Sequence, residues 1–83
     1  MQRMTKTDLS DTQIEVLKFI DTFMKKNGYS PTLHEISTAM GWAADSTAYN
    51  SLEKLVRLGY IRREKGKVRS IKLLRKASYV IKD

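Results

Sequence analysis

Cysteine is absent from the 83 residues, proline occurs once, and the single histidine is His34. Without thiols there are no disulfides and no thiolate metal sites, and a reducing compartment is compatible with the composition. No apolar run approaches the roughly 18 residues of a membrane span, and the start lacks the apolar core of a secretory signal. The chain therefore reads as soluble and cytoplasmic. No glycine-rich phosphate loop follows a strand. His34 stands without a carboxylate cluster, and Glu35 beside it has a simpler use as a helix cap, so neither a metal site nor a catalytic constellation is expected. No enzyme activity, cofactor, metal or small-molecule substrate is expected of this chain.

What is abundant is positive charge in one place. Net charge is +7. Residues 1–61 are neutral, with seven cations against seven carboxylates. Residues 62–76 carry Arg62, Arg63, Lys65, Lys67, Arg69, Lys72, Arg75 and Lys76 against Glu64 alone, and Lys82 and Asp83 cancel. A merely solvated surface does not need its excess charge in one segment, whereas an element facing a polyanion does.

The size allows one small domain. Residues 1–8 are polar and aperiodic and read as a flexible arm. Ser10 and Gln13 have capping-box spacing, opening a helix from about residue 11 to Lys26 that ends at Gly28. Its inner stripe is Val16, Leu17, Ile20 and Met24, flanked by Phe19 and Phe23, with Ile14 off the stripe and exposed. Ser30-Pro31 is extended. Thr32 and Glu35 repeat the capping-box pattern before a short helix, 33–40, with Ile36, Ala39 and Met40 inward. Gly41 breaks it, and Trp42 fills the angle to the next helix.

The stretch 40–59 holds the third helix, residues 45–58, capped by Asp45 and ended by Gly59. Ala48, Leu52, Leu55 and Val56 form its apolar stripe. Near its start lie Ser46, Thr47, Tyr49 and Asn50, side chains suited to touching base edges. After Gly59 the period shifts from 3.6 to 2. Tyr60-Ile61 starts a strand, Gly66 supplies a turn, and 68–73 returns with Ile71 and Leu73 inward. Arg62 and Arg63 straddle the two strand faces, so at most one can face DNA. Residues 75–83 form a tail whose Tyr79-Val80-Ile81 is apolar enough to pack on this chain or on a partner. The fold class is α+β, mainly α: a winged helix-turn-helix over 9–74, three helices followed by a β-hairpin wing.

Leu9 to Leu74 resembles the N-terminal DNA-binding domain of LexA repressors. The carrying features are L-S-D-T-Q-x-E-V, then G-Y-S-P-T-x-x-E-I, M-G-W at the family's turn, L-x-x-L-x-x-x-G-Y-I closing helix three, and a hairpin ending I-K-L-L. The resemblance implies a sequence-specific, double-stranded DNA-binding transcriptional regulator that reads the major groove with helix 45–58. The family's base-reading positions fall on Ala44, Ser46, Thr47, Tyr49 and Asn50. Tyr49 and Asn50 stand where familiar members have acids, and Thr47 where they have alanine, so the family's operator need not transfer. Members continue into a self-cleaving peptidase domain that also dimerises the protein and answers DNA damage. A short homologue without autoproteolysis fits a phage or mobile-element repressor in the cytoplasm of a bacterial or phage-infected cell, near the nucleoid. A fragment of a longer repressor reads the same way.

The physical division of labour follows. Lys65, Lys67 and Arg69 of the wing, 62–72, supply phosphate affinity by releasing counterions. Thr32, at the start of helix two, offers its hydroxyl and free backbone N–H groups to a phosphate. Asn50 can pair with adenine and Thr47 can meet a thymine methyl. The blander readings are that Asn50 is a solvated residue, that Tyr49 covers core, and that Ser46 and Thr47 only occupy the first turn. A homodimer on paired half-sites is a further expectation. The rival is a protein-interaction module whose wing meets an acidic partner, such as a host repressor or the transcription machinery.

Overall fold

Capping chemistry sets the starts of the first two helices. The computed structural model describes residues 9–81, so the arm expected over 1–8 lies outside the described residues, as do Lys82 and Asp83. Helix α1, Asp11–Asn27, opens where Ser10 Oγ accepts from the Gln13 amide and the Ser10 amide donates to Gln13 Oε1 at 3.2 Å. Helix α2, Leu33–Met40, opens the same way between Thr32 and Glu35. Helix α3, Asp45–Arg57, differs. Its N-cap is Ala44, with no side-chain bond, and Asp45 is the first helical residue rather than the expected cap. Asp45 still places negative charge at the positive end of the helix, where it lies 3.2 Å from His34 on α2.

The buried faces follow the helical period with three corrections. In α1, Val16, Leu17 and Ile20 are fully buried, but Ile14 is half-buried rather than exposed. Two elements, α2 and a later helix, pack on α1, so its covered surface is wider than one stripe. In α2, Ala39 is exposed and Ser37 is buried in its stead. The actual stripe is Leu33, Ile36, Ser37 and Met40, at i, i+3, i+4 and i+7. The polarity of Ser37 disguised it; its hydroxyl donates to the Ala44 carbonyl at 3.5 Å. In α3, Ala48, Leu52 and Leu55 are fully buried, while Val56 at the stripe's edge is 36% exposed.

Tight C-terminal stops set the angles between elements. Gly41, at φ +77°, turns α2 toward α3, and the Trp42 amide reaches back to the Ser37 carbonyl at 2.9 Å. Gly59, at φ +88°, turns α3 into the wing, with Tyr60 N to Leu55 O at 2.9 Å and Gly59 N to Val56 O at 3.0 Å. Both are Schellman stops that need a left-handed residue, where a side chain is strained. Trp42 is half-buried against the core in the angle between the two helices, as expected.

The wing is shorter in strand and richer in loop than its alternation suggests. Strand β1, Ile61–Arg62, pairs antiparallel with β2, Lys72–Leu73, in the register Ile61↔Leu73 and Arg62↔Lys72. Residues 68–70 do not return as strand. Ser70 Oγ accepts from the Glu64 amide at 3.0 Å and lies 3.2–3.3 Å from the Glu64 and Lys67 carbonyls, taking over the pairing a ladder would supply. Val68 is consequently 70% exposed.

Helix α4, Arg75–Ile81, occupies the segment read as a tail, so the described chain has four helices rather than three. Ala77 and Val80 are buried in the common core, α4 packs on α1, and Tyr79 points to solvent. Lys76 Nζ donates to the Leu58 carbonyl at 2.8 Å and sits 4.7 Å over the Tyr60 ring, placing positive charge at the negative end of α3.

Candidate nucleic-acid interface

With Ala48, Leu52 and Leu55 turned inward, the 3.6-residue period sends Ser46, Asn50 and Arg57 to the opposite side of α3. Tyr49 falls on one flank of that outward face and Thr47 on the other. Ser46, Thr47, Tyr49 and Asn50 are all exposed, as is Ala44 immediately before the helix. All five expected base-reading positions therefore share one solvent-facing end of α3. Lys54 and Arg57 extend the same face as exposed cations with no partner among the described residues.

The expected phosphate-contacting residues divide. Thr32 and Lys67 line one groove, between the N-terminus of α2 and the wing tip, together with His34, Arg63 and Gly66. The Thr32 hydroxyl accepts from the Glu35 amide at 3.0 Å, which leaves its own proton free to donate. Lys67 is exposed and makes only a loose 3.4 Å pair with Glu64, the kind of surface pair worth little in water. Lys65 is exposed and unpartnered among the described residues.

Arg69 has a different position from the one its place in the wing suggests. Its Nη1 donates to Glu35 Oε1 and to the Ser30 carbonyl, both at 2.9 Å, and its Nη2 donates to Glu35 Oε2 at 3.1 Å. The guanidinium also lies 4.6 Å over the Tyr29 ring, which packs edge-on against Phe23. Next to it, the Ile71 amide donates to Ser30 Oγ at 3.2 Å. These bonds tie the wing to the α1–α2 connection and fix its angle to α2. The signal was invisible in sequence, because Arg69 and Glu35 are 34 residues apart.

The Arg69 hydrogen bonds, with the Thr32 amide second, hold the Glu35 carboxyl below its ordinary range; the same pairing raises Arg69. A carboxylate with a lowered folded value stabilises the fold fully above its unfolded value near 4.5 and loses that contribution as pH falls through the folded value. Arg69→Met is therefore expected to lower the melting temperature at pH 6, and the difference should shrink as pH falls through the lowered folded value of Glu35. A melting-temperature difference that persists undiminished in acid would show that the clamp is not ionic.

A second wing arginine, Arg63, is also engaged within the protein. Arg63 Nη1 donates to Glu53 Oε2 at 3.3 Å, and its guanidinium lies 5.5 Å from the Tyr49 ring centroid. The only hint in sequence is that Tyr49 and Glu53 are one helical turn apart on α3. Among the described residues no group of histidines and carboxylates could hold a metal, and no helix is long and apolar enough to cross a membrane.

Residues 6–70 match the family model of the LexA DNA binding domain. The chain is similar to the LexA repressor of Clostridioides difficile (strain 630), 40% identical over 70 residues, which cover 84% of this chain and 33% of the relative. It is similar to that of Shouchella clausii (strain KSM-K16), 44% identical over 66 residues covering 80% and 32%. The LexA repressor of Bacillus subtilis (strain 168) is 41% identical over 68 residues, covering 82% and 33%. The chain thus spans about a third of the length of these curated relatives.

Proposed function

Because the chain belongs to the LexA DNA-binding domain family, we propose that it is a sequence-specific double-stranded DNA-binding repressor acting in the cytoplasm near the nucleoid. The observation that carries this reading is the outward end of α3. Five exposed positions, Ala44, Ser46, Thr47, Tyr49 and Asn50, stand opposite a fully buried stripe and beside a basic wing. A helix presented this way enters the major groove by its N-terminal half. Asn50, on the outermost line, reads adenine through its amide; Thr47, on one flank, offers its methyl to thymine; Ser46 serves either. Thr32, Lys65 and Lys67 set the register by holding phosphates on either side of the α2–wing groove. Arg69 acts chiefly by aiming the wing and only secondarily as a phosphate cation, since its donors are already shared with Glu35 and Ser30. Two copies on paired half-sites would add their contacts and block transcription from the covered promoter.

Selection of bound sequences from random duplexes at physiological salt tests the reading. The unmodified protein is expected to enrich a defined motif. Asn50→Ala should relax one position by about fivefold or more, since a bidentate base contact discriminates by roughly 1–3 kcal/mol. Lys67→Ala should weaken all sequences alike. No enrichment at all would assign the basic wing to an acidic protein partner instead.

A further inference from the structure

The contact between the wing and the reading helix carries a second, sharper claim. Arg63 follows directly after β1, and its side chain is only 13% exposed, although it is a cation in the most basic segment of the chain. A phosphate-binding arginine is expected to stay in solvent until DNA arrives. Arg63 is instead folded inward onto α3, bonded to Glu53 and stacked over Tyr49 within the roughly 6 Å at which a guanidinium is attracted to a ring face. Tyr49 and Glu53 are four residues apart, so they lie one above the other on the same flank of α3. One guanidinium reaches both, its Nη1 bonded to the carboxylate and its central carbon 5.5 Å over the phenol ring.

Three consequences follow for a helix that reads DNA. The Tyr49 ring, 38% exposed, is held on one side before DNA arrives, so less side-chain freedom is lost when it docks. The Glu53 carboxylate, which would repel the phosphates, is neutralised within the protein. Finally, the position of the wing is transmitted to the one base-reading candidate that lies on the wing-side flank of α3.

We infer that Arg63 is a positioning residue: through its contacts with Glu53 and the Tyr49 ring, it sets the specificity of the base pair that Tyr49 faces, without touching DNA. This rests on the proposal that α3 reads DNA, and the test separates the two. Affinities are measured for the selected motif and for its single-position variants with the unmodified protein, Tyr49→Ala, Arg63→Ala, the double substitution, and Arg63→Lys. Tyr49→Ala should relax preference at one base pair by about fivefold or more. Arg63→Ala should relax that same position and no other, and the double substitution should be no worse than Tyr49→Ala, because the two act as one unit. Arg63→Lys keeps the charge but not the planar fork, so it should not restore the preference. Glu53→Gln, which weakens the anchor but leaves both other side chains in place, should relax the same position to a smaller degree. In the free domain, Arg63 side-chain protons should resonate upfield and move back in Tyr49→Leu, a readout independent of stability.

A uniform loss over all sequences that adds to Tyr49→Ala would make Arg63 a phosphate contact and overturn the inference. So would Arg63 protons that ignore the Tyr49 substitution, or a Tyr49→Ala protein with unchanged preference. An unmodified protein that enriches no motif would overturn the DNA reading itself, and this inference with it.

Discussion

Leu52→Ala is expected to destabilise the domain by about 2–5 kcal/mol, the cost of deleting a fully buried leucine and leaving a cavity. Leu52 has no exposed surface and belongs to the one cluster that gathers Val16, Leu17 and Ile20 of α1, Ile36 of α2, and Ala77 and Val80 of α4. A domain this small has only several kcal/mol of net stability, so the loss should be a large share of it and should lower the melting temperature by about 10 °C or more. Thermal and urea unfolding followed by circular dichroism would measure it. Val56→Ala, at the exposed edge of the same helix, is the matched control and should cost much less. If both substitutions were equally mild, the inner face of α3 would be misassigned. The outward placement of Asn50 and Thr47 would fall at the same time, because one helical phase sets both.

DNA affinity should be steeply salt-dependent. With about five phosphates neutralised, log K falls with log salt at a slope of about −4 to −5, so raising salt from about 50 to 200 mM should weaken binding by roughly 250- to 1,000-fold. Exposed cations available for this include Arg62, Lys65, Lys67 and Lys72 of the wing, with Lys54 and Arg57 on the outward face of α3. Lys67→Ala should flatten the slope by about one, and Asn50→Ala should leave it unchanged, since an amide releases no counterion. Arg69→Met separates aiming from charge. Its guanidinium is already engaged with Glu35, so it should change the slope less than Lys67→Ala does. Titrations on one duplex across four salt concentrations would decide this. A slope near −1 would mean that the basic wing does not lie along the phosphates.

Much of the architecture could be read from local chemistry. The two capping boxes, the glycine stops after α2 and α3, and the Ala48–Leu52–Leu55 stripe are all relations between residues a few positions apart, and each formed as its spacing implied. The structure departs from the sequence pattern where a local signal is weak or ambiguous. Ser37 is polar yet buried, because its hydroxyl finds the Ala44 carbonyl. Helix α4 has the spacing of a buried stripe at Ala77, Val80 and Ile81, but seven residues are too few for periodicity alone to announce a helix. Its packing on α1 and the Lys76 bond to Leu58 hold it in place.

The candidate site divides along the same line. Which side chains of α3 face outward follows from the sequence by itself, since a 3.6-residue period with one buried face leaves no freedom about the other. Which of the clustered wing cations are free was decided only by the tertiary structure. Seven cations in 62–75 look equivalent along the chain, yet Arg63 is committed to Glu53 and Tyr49, Arg69 to Glu35, Ser30 and Tyr29, and Arg62, Lys65, Lys67, Lys72 and Arg75 remain exposed. The carboxylate partners lie 10 and 34 residues away, and no local rule pairs charges across such distances. Folding brings specific carboxylates and rings within reach of specific guanidinium groups, and so separates the cations that shape this interface from those left free to bind.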